Sequence, residues 1–105
     1  MTDLRLIYVT TRDPDQARML ARSLLEQRLI ACANILPQME SLYFWQGKIE
    51  NESEAVLILK TTEELVPKAM AALESLHSYA TPCILSLVVD QGSAKYLDWL
   101  RAQVC

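Results

Sequence analysis

The sequence predicts an α+β domain of the ferredoxin-like plan: β-α-β-β-α-β on an antiparallel sheet, with a long hairpin joining the second and third strands and an added C-terminal helix. Three observations predict it. Segments rich in β-branched and aromatic residues alternate in that order with segments whose apolar residues recur at helical spacing. Two long extended stretches flank one glycine-bearing reversal, Gln46-Gly47-Lys48. The 105 residues are 51% apolar with two Gly and four Pro, which suits one folded domain over residues 1–105 and excludes a low-complexity chain.

Leu4 to Thr11 (LRLIYVTT) reads as the first strand. Asp13 then offers an N-cap, Pro14 a first helical residue and Gln16 a capping-box partner. Ala17, Leu20, Ala21, Leu24, Leu25 and Leu29 follow at helical spacing. From Ala31 to Trp45 the pattern is extended, and Pro37, which cannot donate to a ladder, predicts a bulge or an edge. The return strand is expected over about Glu52 to Thr61. Pro67 would interrupt a helix begun at Glu63, so a turn is expected at Glu63 to Leu65 and a regular helix from Val66, with Ala69, Met70, Leu73 and Leu76 facing inward. His77 to Pro82 reads as a loop and Cys83 to Asp90 as the last strand. Gln91-Gly92 turns the chain, and Ser93 is expected to cap a helix carrying Ala94, Leu97, Leu100 and Val104.

Composition excludes several function classes. A formal charge of −3 and no long cluster of Lys and Arg speak against a nucleic-acid partner. No run of apolar residues suits a membrane span, and the start resembles no signal peptide. Cys32, Cys83 and Cys105 are odd in number and lack CxxC spacing, which fits a reducing cytoplasm better than a disulfide scaffold.

The strands carry a further message, because they do not alternate between apolar and polar. Leu4, Leu6 and Tyr8 oppose Ile7 and Val9 in the first strand, Ala55, Leu57 and Leu59 oppose Val56 and Ile58 in the return strand, and Ile84 and Val88 oppose Leu85, Leu87 and Val89 in the last. If one set faces the helices, the other set of seven aliphatic residues stands in water. Covering them is worth roughly 10 kcal/mol before association costs. The C-terminal helix can shield part of that face, and identical subunits are the simplest source of the rest. Tyr43, Phe44 and Trp45, beside the hairpin turn, are expected to anchor a subunit interface.

Several segments are also recognisable: Leu29-Ile30-Ala31-Cys32-Ala33-Asn34-Ile35, Ser41 through Lys48 (SLYFWQGK), Leu59-Lys60-Thr61, His77 through Pro82 (HSYATP) and Tyr96-Leu97-Asp98-Trp99. In these the chain resembles the CutA family of divalent-cation tolerance proteins. The resemblance implies a ferredoxin-like subunit in a homotrimer similar to the PII signalling proteins, with itself and a divalent metal ion as partners and copper or another divalent cation as the only cofactor. It implies a cytoplasmic response to metal ions. A copper pattern of some bacterial members, with a Cys in the first strand and paired His before the Tyr, meets Val9 and Leu76 here and keeps only His77.

Cys32, His77 and Cys83 are the soft metal-ligand candidates, suited to copper or zinc if they converge. Each also has a bland reading, as buried thiol or helix cap. Glu50, Glu52 and Glu54 share one strand face, either as a solvated edge or as donors to a hard cation. Lys60, Tyr79 and Arg12 are candidates for a small anion or nucleotide in a cleft between subunits, the alternative PII-like reading. No Walker or GxGxxG loop exists, and a single His without a favoured nucleophile argues against an enzyme.

Overall fold

The computed structural model describes residues 1–104, so Cys105 lies outside the described residues. The elements are β1 (Leu4–Thr11), α1 (Pro14–Glu26), β2 (Cys32–Trp45), β3 (Lys48–Thr62), a 3-10 turn (Glu63–Leu65), α2 (Val66–Leu76), β4 (Ile84–Val88) and α3 (Ala94–Gln103). The sheet is antiparallel in the order β2-β3-β1-β4, which is the ferredoxin-like arrangement.

Local chemistry explains the element boundaries. Asp13 Oδ1 accepts from the Gln16 amide at 2.8 Å, and Gln16 Oε1 accepts from the Arg12 amide at 2.8 Å, so the first turn of α1 is capped from both sides. Trp45 pairs directly with Lys48 across Gln46 and Gly47, whose φ values of 50° and 79° describe a two-residue hairpin turn. The return strand therefore starts four residues earlier than its composition suggested: the cross-strand ladder continues to the turn whatever the polarity of Lys48 to Asn51. The register shifts between Leu36 and Met39, the bulge expected at Pro37. Gly47→Ala is expected to cost about 1 kcal/mol through backbone strain alone; an added Cβ meets nothing within 4 Å, so an unchanged denaturation midpoint would refute that cause.

One sheet face meets α1 and α2. Ile7, Val9, Leu57 and Leu59 pack there with Ala17, Leu20, Ala21, Leu24, Ala69 and Leu73, all buried. Arg5 is buried at the end of the same face, where its guanidinium donates to the carbonyls of Thr2 and Leu4 at 2.8 Å and pairs with Glu63. Leu76 is not an inward residue: it is the last residue of α2 and is exposed, while Met70 is only half-buried. Leu29 lies past the end of α1, although it still packs against the core. Ser93 occupies the cap position of α3 but its side chain makes no capping bond.

The opposite face is covered in part. Leu4 packs with Leu100 and Ala31, beside Leu97, Val89 and Val104, so α3 closes the end nearest the chain start. Val56 is also buried, and Leu6 and Ile58 are half-buried. The seven-residue exposed set expected from the sequence thus shrinks within the single chain to Leu85 at 56% and Leu87 at 49% exposure, joined by Leu36. The last strand is shorter than expected: regular pairing with β1 covers Ile84 to Val88, while Cys83 and Val89 at its ends make single backbone bonds to Thr10 and Leu4. β1 likewise ends opposite Ala55, leaving the outer half of the β2-β3 hairpin to project past the sheet.

Candidate functional site

Where the hairpin leaves the sheet, its open-face residues form one wall of a trough of about 860 Å3. Pairing of Met39 with Glu54, Ser41 with Glu52 and Tyr43 with Glu50 puts all six side chains on that face. Tyr8 and Thr10 of β1 supply the floor, and Tyr79 through Thr81 with Cys83 supply the far wall. The three expected carboxylates do share a face, and Glu54 is buried while Glu52 is exposed.

The far wall is held by His77. As the C-cap of α2, its amide donates to the Leu73 carbonyl at 2.9 Å. Its Nδ1 accepts from the Tyr79 amide at 3.1 Å, so the ring proton belongs on Nε2, which donates to the Thr10 carbonyl at 2.8 Å. Gln16 Nε2 reaches Ser78 Oγ at 2.5 Å and ties the same loop to α1. The loop thereby aims Tyr79, whose hydroxyl donates to Glu54 Oε2 at 2.8 Å. Burial, followed by that bond to Glu54, pushes the Tyr79 phenol well above its ordinary range. Tyr43 is raised too, by desolvation and then by the charges of Glu52, Glu54 and Glu50.

The soft-ligand candidates do not assemble into one site. His77 and Cys83 flank Thr10, whose amide donates to the Cys83 carbonyl at 3.4 Å, but both His77 nitrogens are occupied. Cys32 lies opposite Lys60, four residues along β3 from the Val56 that pairs with Thr10, a separation of about 13 Å. Among the described residues no group of three or more His, Cys, Asp and Glu side chains could hold a metal ion. A divalent metal therefore does not fit this donor set within one chain.

Lys60, Tyr79 and Arg12 are likewise apart in one chain. Lys60 donates to the Tyr96 hydroxyl at 3.0 Å, a bond that raises its pKa. The Glu54 that binds Tyr79 is six residues further along β3, about 20 Å away. Arg12 is exposed and pairs with Asp13. Sequence reasoning missed the partner of Lys60. Tyr96 stacks on Trp99 at 5.7 Å, and Cys32 Sγ lies 3.9 Å from the Tyr96 hydroxyl. The i,i+3 spacing of Tyr96 and Trp99 on a helix was the available signal. At the hairpin end Tyr43, Phe44 and Trp45 are exposed, as their interface reading requires.

The geometry has close counterparts. The family model described as CutA1 divalent ion tolerance protein matches residues 5–103. The divalent-cation tolerance protein CutA of Thermus thermophilus is 40% identical over 96 residues, covering 91% of this chain and 93% of that protein. Human protein CutA is also 40% identical, but the chain spans only 52% of its length. The crystal structure of CutA from Xylella fastidiosa superposes with a TM-score of 0.95 at 36% identity, covering 99% of this chain and 100% of that one. A match from the first strand to the last helix, in sequence and in topology, places the chain in the CutA1 divalent ion tolerance protein family.

Proposed function

We propose that this protein acts in the response to divalent cations, copper among them, as a non-catalytic homotrimer in the cytoplasm. The end-to-end family match supports the cation reading. Among the described residues no helix is long and apolar enough to cross a membrane. A non-catalytic role is supported by His77, whose ring bonds main-chain groups rather than a hydroxyl or thiol nucleophile. A nucleotide-binding role is disfavoured, because the trough presents Glu40, Glu50, Glu52 and Glu54 and no Lys or Arg to a phosphate.

The assembly is supported by what the single chain leaves in water: Leu36, Leu85 and Leu87 on the sheet, and Leu42, Phe44, Trp45 and Ile49 on the hairpin. At about 1.5 kcal/mol each their burial yields roughly 10 kcal/mol, of the order of the association cost. Stable association therefore needs most of them together. The number three is what the family resemblance implies.

Deleting the gene is expected to lower the copper concentration that halves growth, with rescue by the wild-type chain; unchanged tolerance to copper and to zinc would overturn the cation reading. Trp45→Ala is expected to weaken assembly by about 2 kcal/mol, and an unchanged sedimenting mass at dilute protein would count against the hairpin anchor. Calorimetric titration with Cu(II) and Zn(II) tests direct binding by the assembled protein, and heat abolished in His77→Ala would assign the metal to His77.

A further inference from the structure

We propose that Tyr79, aimed by His77, braces the projecting β2-β3 hairpin at Glu54 and holds it in the pose in which it docks on a neighbouring copy. The inference rests on the homotrimer proposed above and adds a control point that lies inside one chain.

The hairpin needs such a brace because little else restrains it. β1 has its last partner at Ala55, so from Met39 to Glu54 the hairpin is a ribbon of two strands that β1 no longer supports. A ribbon of that kind is marginally stable by itself in water. Its root is also the weakest part of the ladder, since the register shifts between Leu36 and Met39 and Pro37 has no amide to donate. The ribbon carries Leu42, Phe44, Trp45 and Ile49, the apolar side chains offered to the neighbour. Any freedom to swing about the root is lost on association and weakens it.

Among the described residues two side-chain hydrogen bonds reach the ribbon from the rest of the chain, and both land on its root, where Met39 faces Glu54. The Tyr8 hydroxyl donates to Met39 Sδ at 3.7 Å, and a thioether is a weak acceptor. The Tyr79 hydroxyl donates to Glu54 Oε2 at 2.8 Å, a charge-assisted bond to a carboxylate that is 8% exposed. The second bond is the stronger restraint, and it is fixed from behind. His77 Nδ1 accepts from the Tyr79 amide while its Nε2 donates to the Thr10 carbonyl, which ties the loop to the end of β1. Ser78 is tied in turn to Gln16 of α1. His77 and Gln16 are both buried. The packed body of the domain therefore grips the ribbon through one loop. Every bond in this chain of contacts lies within a single copy, so the brace is complete before copies meet.

The test compares amide hydrogen exchange and subunit exchange in the intact protein, the second read by mass spectrometry after mixing unlabelled and 15N-labelled copies. Tyr79→Phe removes one hydroxyl. Amide exchange between Met39 and Glu54 is expected to rise at least tenfold in it, with Ile7 and Val9 at wild-type rates, and subunit exchange is expected to quicken at least tenfold. His77→Leu is expected to do the same, and the double variant to add nothing further, because His77 acts through Tyr79. Unchanged ribbon amides in Tyr79→Phe, an equal rise at Ile7 and Val9, unaltered subunit exchange, or additive effects in the double variant would each overturn the brace. A wild-type protein that sediments as a single copy would instead overturn the homotrimer, and the amide comparison would still decide whether Tyr79 restrains the ribbon.

Discussion

Leu85→Asp/Leu87→Asp is expected to turn the assembly into a folded particle of single-chain mass, 11.9 kDa for the unaltered sequence. Both side chains lie on the open face of β4, about half exposed in the single chain. A carboxylate at either position keeps its hydration in a lone subunit. Under a neighbouring copy it would be buried without a partner, at a cost of several kcal/mol each. Two such penalties match or exceed the whole apolar gain reckoned for the contact. Sedimentation velocity reads the mass, and far-UV circular dichroism separates dissociation from unfolding. A double variant of wild-type mass would show that β4 stands outside the interface.

Leu57→Ala is expected to lower stability by about 3 to 4 kcal/mol, the cost of lost transfer energy plus a cavity that its neighbours cannot fill. Leu57 is fully buried, paired with Val9 on one side and Ile35 on the other, under the helix layer. Leu36, its neighbour in β2, points to the other face and is 53% exposed. Leu36→Ala should change the stability of a dissociated subunit by no more than about 0.5 kcal/mol. Denaturant unfolding of both substitutions in the Leu85→Asp/Leu87→Asp background makes the comparison free of assembly. Similar midpoints for the two would mean that the sheet faces are assigned the wrong way round.

Local chemistry was readable wherever one residue type answers one local demand. Asp13 and Gln16 cap α1, Pro37 marks the bulge, Gly47 sits in the turn, and the displaced helix start at Val66 follows from Pro67. Errors arose where an element's extent depends on its neighbours. β3 begins at Lys48 because the hairpin partner continues there, and the regular pairing of β4 with β1 stops at Val88, beyond which Val89 bonds Leu4 and Thr2. Leu76 satisfies the helical period but, as the last residue of α2, is left exposed.

The candidate site shows the same division. The period of Glu50, Glu52 and Glu54 is enough to place them on one face, since alternation is a property of the strand itself. By contrast, Cys32 and His77 are adjacent in no sense that spacing reveals, and Lys60 found Tyr96 rather than Tyr79. What the sequence determined alone was the order and character of the elements, and the apolarity of both sheet faces, because these follow from periodicity and local propensity. Tertiary structure decided how much of the second face α3 covers, how far each strand runs, and that Tyr79 folds over Glu54. Those outcomes depend on contacts between residues far apart in the chain, such as Leu4 with Leu100 and Gln16 with Ser78, which no local pattern encodes.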